Sequence, residues 1–160
     1  MDIYLIRHGQ TDGNVAKRHQ HADTPLNEVG KQEAEKLTDK LLALGITHLV
    51  SSTQMRALMT AEMASVATGL IPTTSSSFAE LKRPQYLIGE YRTGLKMIAY
   101  MALWYLGYRP ASYHDGETYT ELRTRVGEAK ALLATYPKDA RVAVFSHAGF
   151  ITFFHLHINY

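Results

Sequence analysis

Ile3-Tyr4-Leu5-Ile6-Arg7-His8-Gly9 reads as a short buried strand that ends in a cation, an imidazole and a residue suited to a tight turn. In open α/β sheets ligands bind at the carboxyl ends of the strands, so this trio stands where a phosphate can be met. The imidazole can attack phosphorus while the guanidinium holds its oxygens. Alone the tripeptide is a weak signal, and its meaning depends on what the rest of the chain supplies.

Outward from it, strand and helix signals alternate. This predicts an α/β protein whose central sheet is mostly parallel. A polar loop, Gln10 to Pro25, follows the first strand. Asn27 then caps a helix running to Leu44, with Ala34, Leu37, Leu41 and Leu44 as its apolar stripe and Gly45 closing it. A second strand is expected over Thr47 to Ser51. In the helix behind it, Met55, Leu58, Met59, Met63, Val66 and Ala67 trace the apolar face, and Gly69 ends it. Ile71 to Thr74 reads as a short third strand, and Ser75-Ser76-Ser77 as a loop.

Leu95 to Tyr108 reads as a helix apolar nearly all round, which predicts a buried covering helix. Lys82-Arg83-Pro84 and Tyr108-Arg109-Pro110 mark loop boundaries beside it. Thr118 and Glu121 form a capping box for a further helix, with Leu122, Val126, Ala129 and Leu133 on one face and Pro137 as its stop. Arg141 to Ser146 is a fully buried strand that leads into His147-Ala148-Gly149. A second strand thus carries a His at its carboxyl end.

Composition bounds the function. At 160 residues the chain is expected to be one domain, residues 1–160, with an ordinary globular content of 46% hydrophobic and 20% charged residues. A formal charge of +2 without a basic run argues against a nucleic-acid surface. Zero cysteines exclude disulfides and thiolate chemistry. The longest apolar run, Met97 to Leu106, is ten residues, about half a membrane span. With a strand already starting at residue 3 there is no room for a leader, so the expectation is a cytoplasmic protein with no membrane partner. Nothing in the sequence sets the oligomeric state.

In a parallel sheet the carboxyl strand ends face one way, so Arg7, His8, Arg56 and His147 converge on one cleft. Helix amino termini there add backbone amides for an anion. Pro25-Leu26-Asn27-Glu28-Val29-Gly30, Ser52 with Arg56-Ala57 and Thr60-Ala61, Asp115-Gly116-Glu117-Thr118 and Ser146-His147-Ala148-Gly149 follow in order along the chain. Together with Arg7-His8-Gly9 and Asn14, this series resembles the histidine phosphatase superfamily, which includes the cofactor-dependent phosphoglycerate mutases.

The resemblance implies a phosphoglycerate mutase-like, three-layer α/β sandwich with helices on both faces of the sheet. A covering insertion is expected around residues 78–113. It further implies phosphoryl transfer through a phosphohistidine on His8, with Arg7, Asn14, Arg56, His147 and the backbone at Ala148 on the phosphate oxygens. Glu80 stands where the family places its proton donor, with Glu90 and Glu117 in reserve. His8, Glu80 and His147 are the expected catalytic set, and the chemistry calls for no metal and no cofactor.

Two departures stand out: Ala148 replaces the usual Gly, and the chain ends at Tyr160, where many relatives continue through another helix and strand. The expected function is hydrolysis of a phosphomonoester on a small molecule or a phosphoprotein. Family mutases are usually longer, which ranks a phosphoglycerate mutase-like transfer second. An inactive phosphate-binding module comes third. Lys82, Arg83, Arg92 and Arg109 are candidates for the rest of an anionic substrate. The pairs His19/His21 and His155/His157 lack a carboxylate cluster and read as loop or surface histidines rather than metal ligands.

Overall fold

The computed structural model describes residues 1–108 and 115–158. Strand β1 spans Asp2–Arg7, and the loop after it holds one short helix, α1 (Asp12–Val15), which the sequence reading missed. Thr11 and Asn14 close α1 with a reciprocal capping box. Helix α2 (Glu28–Ala43) starts under the Asn27 cap, whose side chain accepts from the Gly30 amide, and it ends before Gly45 at φ 60°. Strand β2 (His48–Ser51) and helix α3 (Met55–Thr68) follow, then β3, reduced from the expected Ile71–Thr74 to Thr73–Thr74.

Two 3₁₀ turns, Ser76–Phe78 and Gln85–Leu87, precede helix α4 (Leu95–Tyr105). Helix α5 (Tyr119–Leu133) opens on the expected Thr118–Glu121 box. Strand β4 (Arg141–Ser146) runs into α6 (Ala148–Ile158). The expected loop boundary at Arg109-Pro110 and the end of the 78–113 insertion lie outside the described residues.

Among the described residues the four strands are parallel in the order β1-β4-β2-β3. Alternation in β4 divides the core. Val142 and Val144 face a cluster with Leu122, Val126 and Leu133 of α5 and Phe150 and Phe154 of α6. Ala143 and Phe145 face Leu41 of α2 and Ala61 and Ala64 of α3. Helices therefore cover both faces of the sheet, an α/β/α sandwich. Among the described residues no helix is long and apolar enough to cross a membrane.

Two helix faces differ from expectation. Helix α3 buries Ala57, Thr60, Ala61 and Ala64, while Val66, from the apolar stripe read as its core face, is 81% exposed. Small side chains let the helix backbone lie close against the sheet, and closeness outweighs the larger transfer energy of the Met and Val side chains. Helix α4 buries only Met97, Tyr100 and Trp104; Leu95, Ile98 and Tyr105 are exposed.

Candidate active site

The register of the sheet builds the site. Arg7 of β1 lies opposite Ser146 of β4, and Ser51 of β2 lies opposite Phe145. The ladder continues one step past the strand ends, with the His8 amide donating to Ser146 O (3.0 Å) and the Ser52 amide to Phe145 O (2.9 Å). His8, His147 and Ser52 are thereby held side by side, and the two imidazole centroids are 5.2 Å apart.

Both rings are buried. His8 Nδ1 lies 2.7 Å from Gly9 O, and a carbonyl only accepts, so Nδ1 carries the proton. Nε2 is then the nitrogen with the lone pair, and Arg56 Nε donates to it at 3.2 Å. The His8 pKa is lowered to about 4, by burial first and then by Arg56 and Arg7; the Gly9 carbonyl and Glu80 oppose the shift. His147 is lowered further, to about 2, again by burial first and then by Arg56 and His8. Its Nε2 sits 2.8 Å from Ser52 Oγ, while Nδ1 is buried without a hydrogen-bond partner. That bare nitrogen is polar capacity the fold leaves unused.

Arg56 stands at the start of α3 and is itself buried, which lowers its pKa to about 10 without discharging it. Beyond His8 it donates to His21 O (2.9 Å) and to the Gln54 side chain. Arg7 is exposed and sits on the other side of His8. A small cavity of about 330 Å³ joins it to His8, Gln10, Asn14 and Glu33. A larger one of about 840 Å³ is lined by His8, Arg56, Glu80 and Ala148 among others. His8 lines both. A neutral imidazole flanked by two guanidiniums is suited to a phosphoryl group.

The sequence profile of the histidine phosphatase superfamily (branch 1) matches residues 3–159. The chain belongs to the histidine phosphatase superfamily. A probable phosphoglycerate mutase GpmB of Salmonella arizonae is 32% identical over 154 residues, covering 92% of this chain and 69% of that one. Among solved structures, a mycobacterial glucosyl-3-phosphoglycerate phosphatase complexed with VO3 is 27% identical at TM-score 0.77, covering 94% of this chain and 77% of its own. The YhfR protein of Bacillus stearothermophilus is 26% identical at TM-score 0.76, with coverages of 93% and 75%.

Within this histidine phosphatase fold, the remaining expected residues fall in distinct places. Asn14 lines the smaller cavity; its Oδ1 accepts from Thr11 while its Nδ2 is buried and unpartnered. Ala148 opens α6 at the rim of the larger cavity. Glu80 lines that cavity too, but its carboxylate caps α6. Oε2 accepts from the Gly149 amide (3.2 Å), and Oε1 from those of Phe150 (3.1 Å) and Leu81 (2.9 Å). A carboxylate at a helix amino terminus is stabilised by the dipole as well as by these bonds.

Glu90 is drawn away by Lys96, with which it pairs at the surface. Glu117 is held bidentately by Arg125 at 2.7 Å on each oxygen, a pair that is mostly buried. Sequence reading missed Arg125, which also donates to Ser77 O and Ala79 O and so fixes the backbone leading into Glu80. No local pattern announces it, because its partners lie up to 48 residues away.

Lys82, Arg83 and Arg92 all line the larger cavity, whereas Arg109 lies outside the described residues. His21 lines it as well, through the loop whose carbonyl binds Arg56. His155 is exposed, and His157 stacks on Phe153 with centroids 4.1 Å apart. His19 lies in a loop, one of the two places read for it, but it is buried at 7% exposure and not at the surface.

Proposed function

We propose that this chain is a metal-independent phosphatase that hydrolyses a phosphomonoester through a phosphohistidine on His8. The observation that carries the reading is the fixed tautomer of that residue: Nδ1–H is tied to Gly9 O, and Nε2 offers its lone pair beside the Arg56 guanidinium. In the first step Nε2 attacks phosphorus. The new N–P bond forms as the ester P–O bond breaks, and Glu80 delivers a proton to the departing oxygen. In the second step water attacks, the N–P bond breaks, and the proton released from water returns to Glu80.

For attack, the Arg56 hydrogen bond must pass from Nε2 to a phosphate oxygen. Arg7, Asn14 and His147 serve the remaining oxygens, with the amide of Ala148 at the helix terminus. These groups are preorganised by the sheet register, so the developing charge meets dipoles already in place. Charge stabilisation in this scheme rests on guanidiniums, which is why no metal step is invoked.

A mutase differs only in the second acceptor, a substrate hydroxyl in place of water. The likeness to a probable phosphoglycerate mutase supports that alternative, and the likeness to a phosphoglycerate-derivative phosphatase supports hydrolysis. The test is release of inorganic phosphate from an aryl phosphate in excess chelator, by the native chain and by His8→Ala. Chelator-resistant release that disappears in the variant is the expected result. Release that survives the loss of His8 overturns the proposal, and phosphoryl migration on phosphoglycerate without release moves it to the mutase.

A further inference from the structure

Helix α4 covers the core with one side and turns an apolar side outward. Met97, Tyr100 and Trp104 are buried, and Trp104 Nε1 donates to Glu117 O (2.7 Å), which pins the helix to the segment just ahead of α5. On the opposite side Leu95 is 85% exposed, Ile98 61%, Tyr105 67% and Leu106, the residue that ends the helix, 80%. Ala99 and Ala102 are exposed between them. The helix is held in place while its outer face stays uncovered.

At about 100° per residue, these six positions share an arc of about 120°. Leu95, Ile98, Ala102 and Tyr105 step by three, four and three, the spacing with which one helix packs its side chains against another. No charged side chain interrupts the arc. Lys96 is the only charged residue in α4; it lies on the flank and is engaged by Glu90.

The order of sizes is self-complementary. Large side chains stand at both ends of the stripe and the two alanines at its middle. Let the helix meet a second copy running the other way, about a two-fold axis near Tyr100 and Met101. Leu95 then falls beside Leu106, and Ala99 beside Ala102. The alanines let the backbones approach, and the large ends interdigitate.

Size and charge favour such a partner. The four large side chains and two alanines present on the order of 500 Å² per copy, so a symmetric pair removes about 1,000 Å², where specific but weak interfaces begin. A bilayer fits less well. Interfacial helices bring a row of Lys or Arg to the headgroups, and here the single lysine already has its counter-ion in Glu90.

We propose that the outer face of α4 is a homodimer interface, in which two copies of the chain pack these helices antiparallel about a two-fold axis. The contact uses no residue of the His8 centre, and it stands or falls apart from the reaction there.

The test is the mass of the native chain by sedimentation velocity from about 1 to about 100 μM, the range a small interface is expected to span. The expected result is a shift from monomer to dimer. Ile98→Glu and Ala102→Glu each place a charge in the contact and are expected to weaken association at least about tenfold, with circular dichroism unchanged. Val66→Glu, at an exposed apolar residue of α3, is expected to leave the dimer as it is.

The chain has no cysteine, so introduced thiols report the orientation cleanly. In the antiparallel pair, identical positions at a stripe end lie about 16 Å apart along the axis, beyond the roughly 7 Å that a disulfide spans. Leu95→Cys and Leu106→Cys are therefore expected to crosslink on oxidation when the two proteins are mixed, and not when each is alone. The reverse pattern overturns the antiparallel contact. So does a native chain that stays monomeric at about 100 μM, or a dimer that neither glutamate variant weakens. A monomer that floats with phosphatidylglycerol–phosphatidylcholine vesicles overturns it in favour of a lipid surface.

Discussion

At the scale of single residues, Glu80 carries the tension in this site. The proposed chemistry asks it to give a proton to the leaving oxygen, while its two oxygens already accept three backbone amides, two of them from the first turn of α6. Gly149 is part of that arrangement, since a Cβ there would lie 3.1 Å from the Glu80 carboxyl carbon. Glu80→Gln separates the roles, because the amide oxygen still caps the helix and the amide cannot protonate the substrate. Turnover of an alkyl phosphate is expected to fall by about 10²- to 10⁴-fold. An aryl phosphate, whose leaving group departs unaided, is expected to lose far less. Equal losses on both, measured as kcat, would leave Glu80 with the capping role alone. The position of Glu80 was legible in the sequence, but its capping partners were not, because they lie 69 and 70 residues further along the chain.

At the scale of elements, the Pro25–Gly30 segment acts as a clamp on the loop behind His8. The Asn27 amide donates to Gln10 O (3.1 Å), and Gly30 approaches Gln10 so closely that an added Cβ would lie 2.6 Å from its amide nitrogen. Gly9 is pressed against Gly30 from the same side, its own added Cβ reaching within 3.0 Å of the Gly30 carbonyl carbon. Both obstacles are backbone, so Gly30→Ala must shift the loop rather than a side chain. Overpacking of this kind costs about 1–3 kcal/mol, which for a chain of this length lowers Tm by about 2–12 °C. Aryl phosphate turnover is expected to fall with it, because the displaced loop carries His8. Thermal unfolding and turnover both at native values would show that the clamp is not needed.

The strands were readable here because short apolar runs end in chemistry-bearing residues. The buried faces of α3 and α4 were not. Hydrophobic periodicity finds the large side chains, whereas α3 buries Ala57, Ala61 and Ala64 to bring its backbone close to the sheet. In α4 the apolar residues go all round, so the pattern named no face.

At the scale of the whole molecule, three neutral histidines are buried together on the carboxyl side of the sheet, and this sets how stability responds to pH. In the unfolded chain each takes up a proton near the ordinary value of 6.5; in the fold His8 and His19 do so at about 4 and His147 at about 2. Below pH 6.5 the unfolded state therefore binds more protons than the folded one, and stability falls as pH falls. The contribution is complete above the unfolded value and is lost progressively toward the folded ones.

At about pH 5, His8 and His147 each withdraw about 2 kcal/mol relative to neutrality, and His19 acts in the same direction. Urea unfolding at about pH 7.5 and about pH 5 should show a loss of at least about 4 kcal/mol. His147→Gln removes one of these linkages, so that variant should lose about 2 kcal/mol less over the same interval. Equal stability at the two pH values would mean that the histidines are not held neutral by burial. His8 itself keeps its lone pair throughout this range. Activity lost on mild acidification should accordingly follow the unfolded fraction of the protein, not the protonation of its nucleophile.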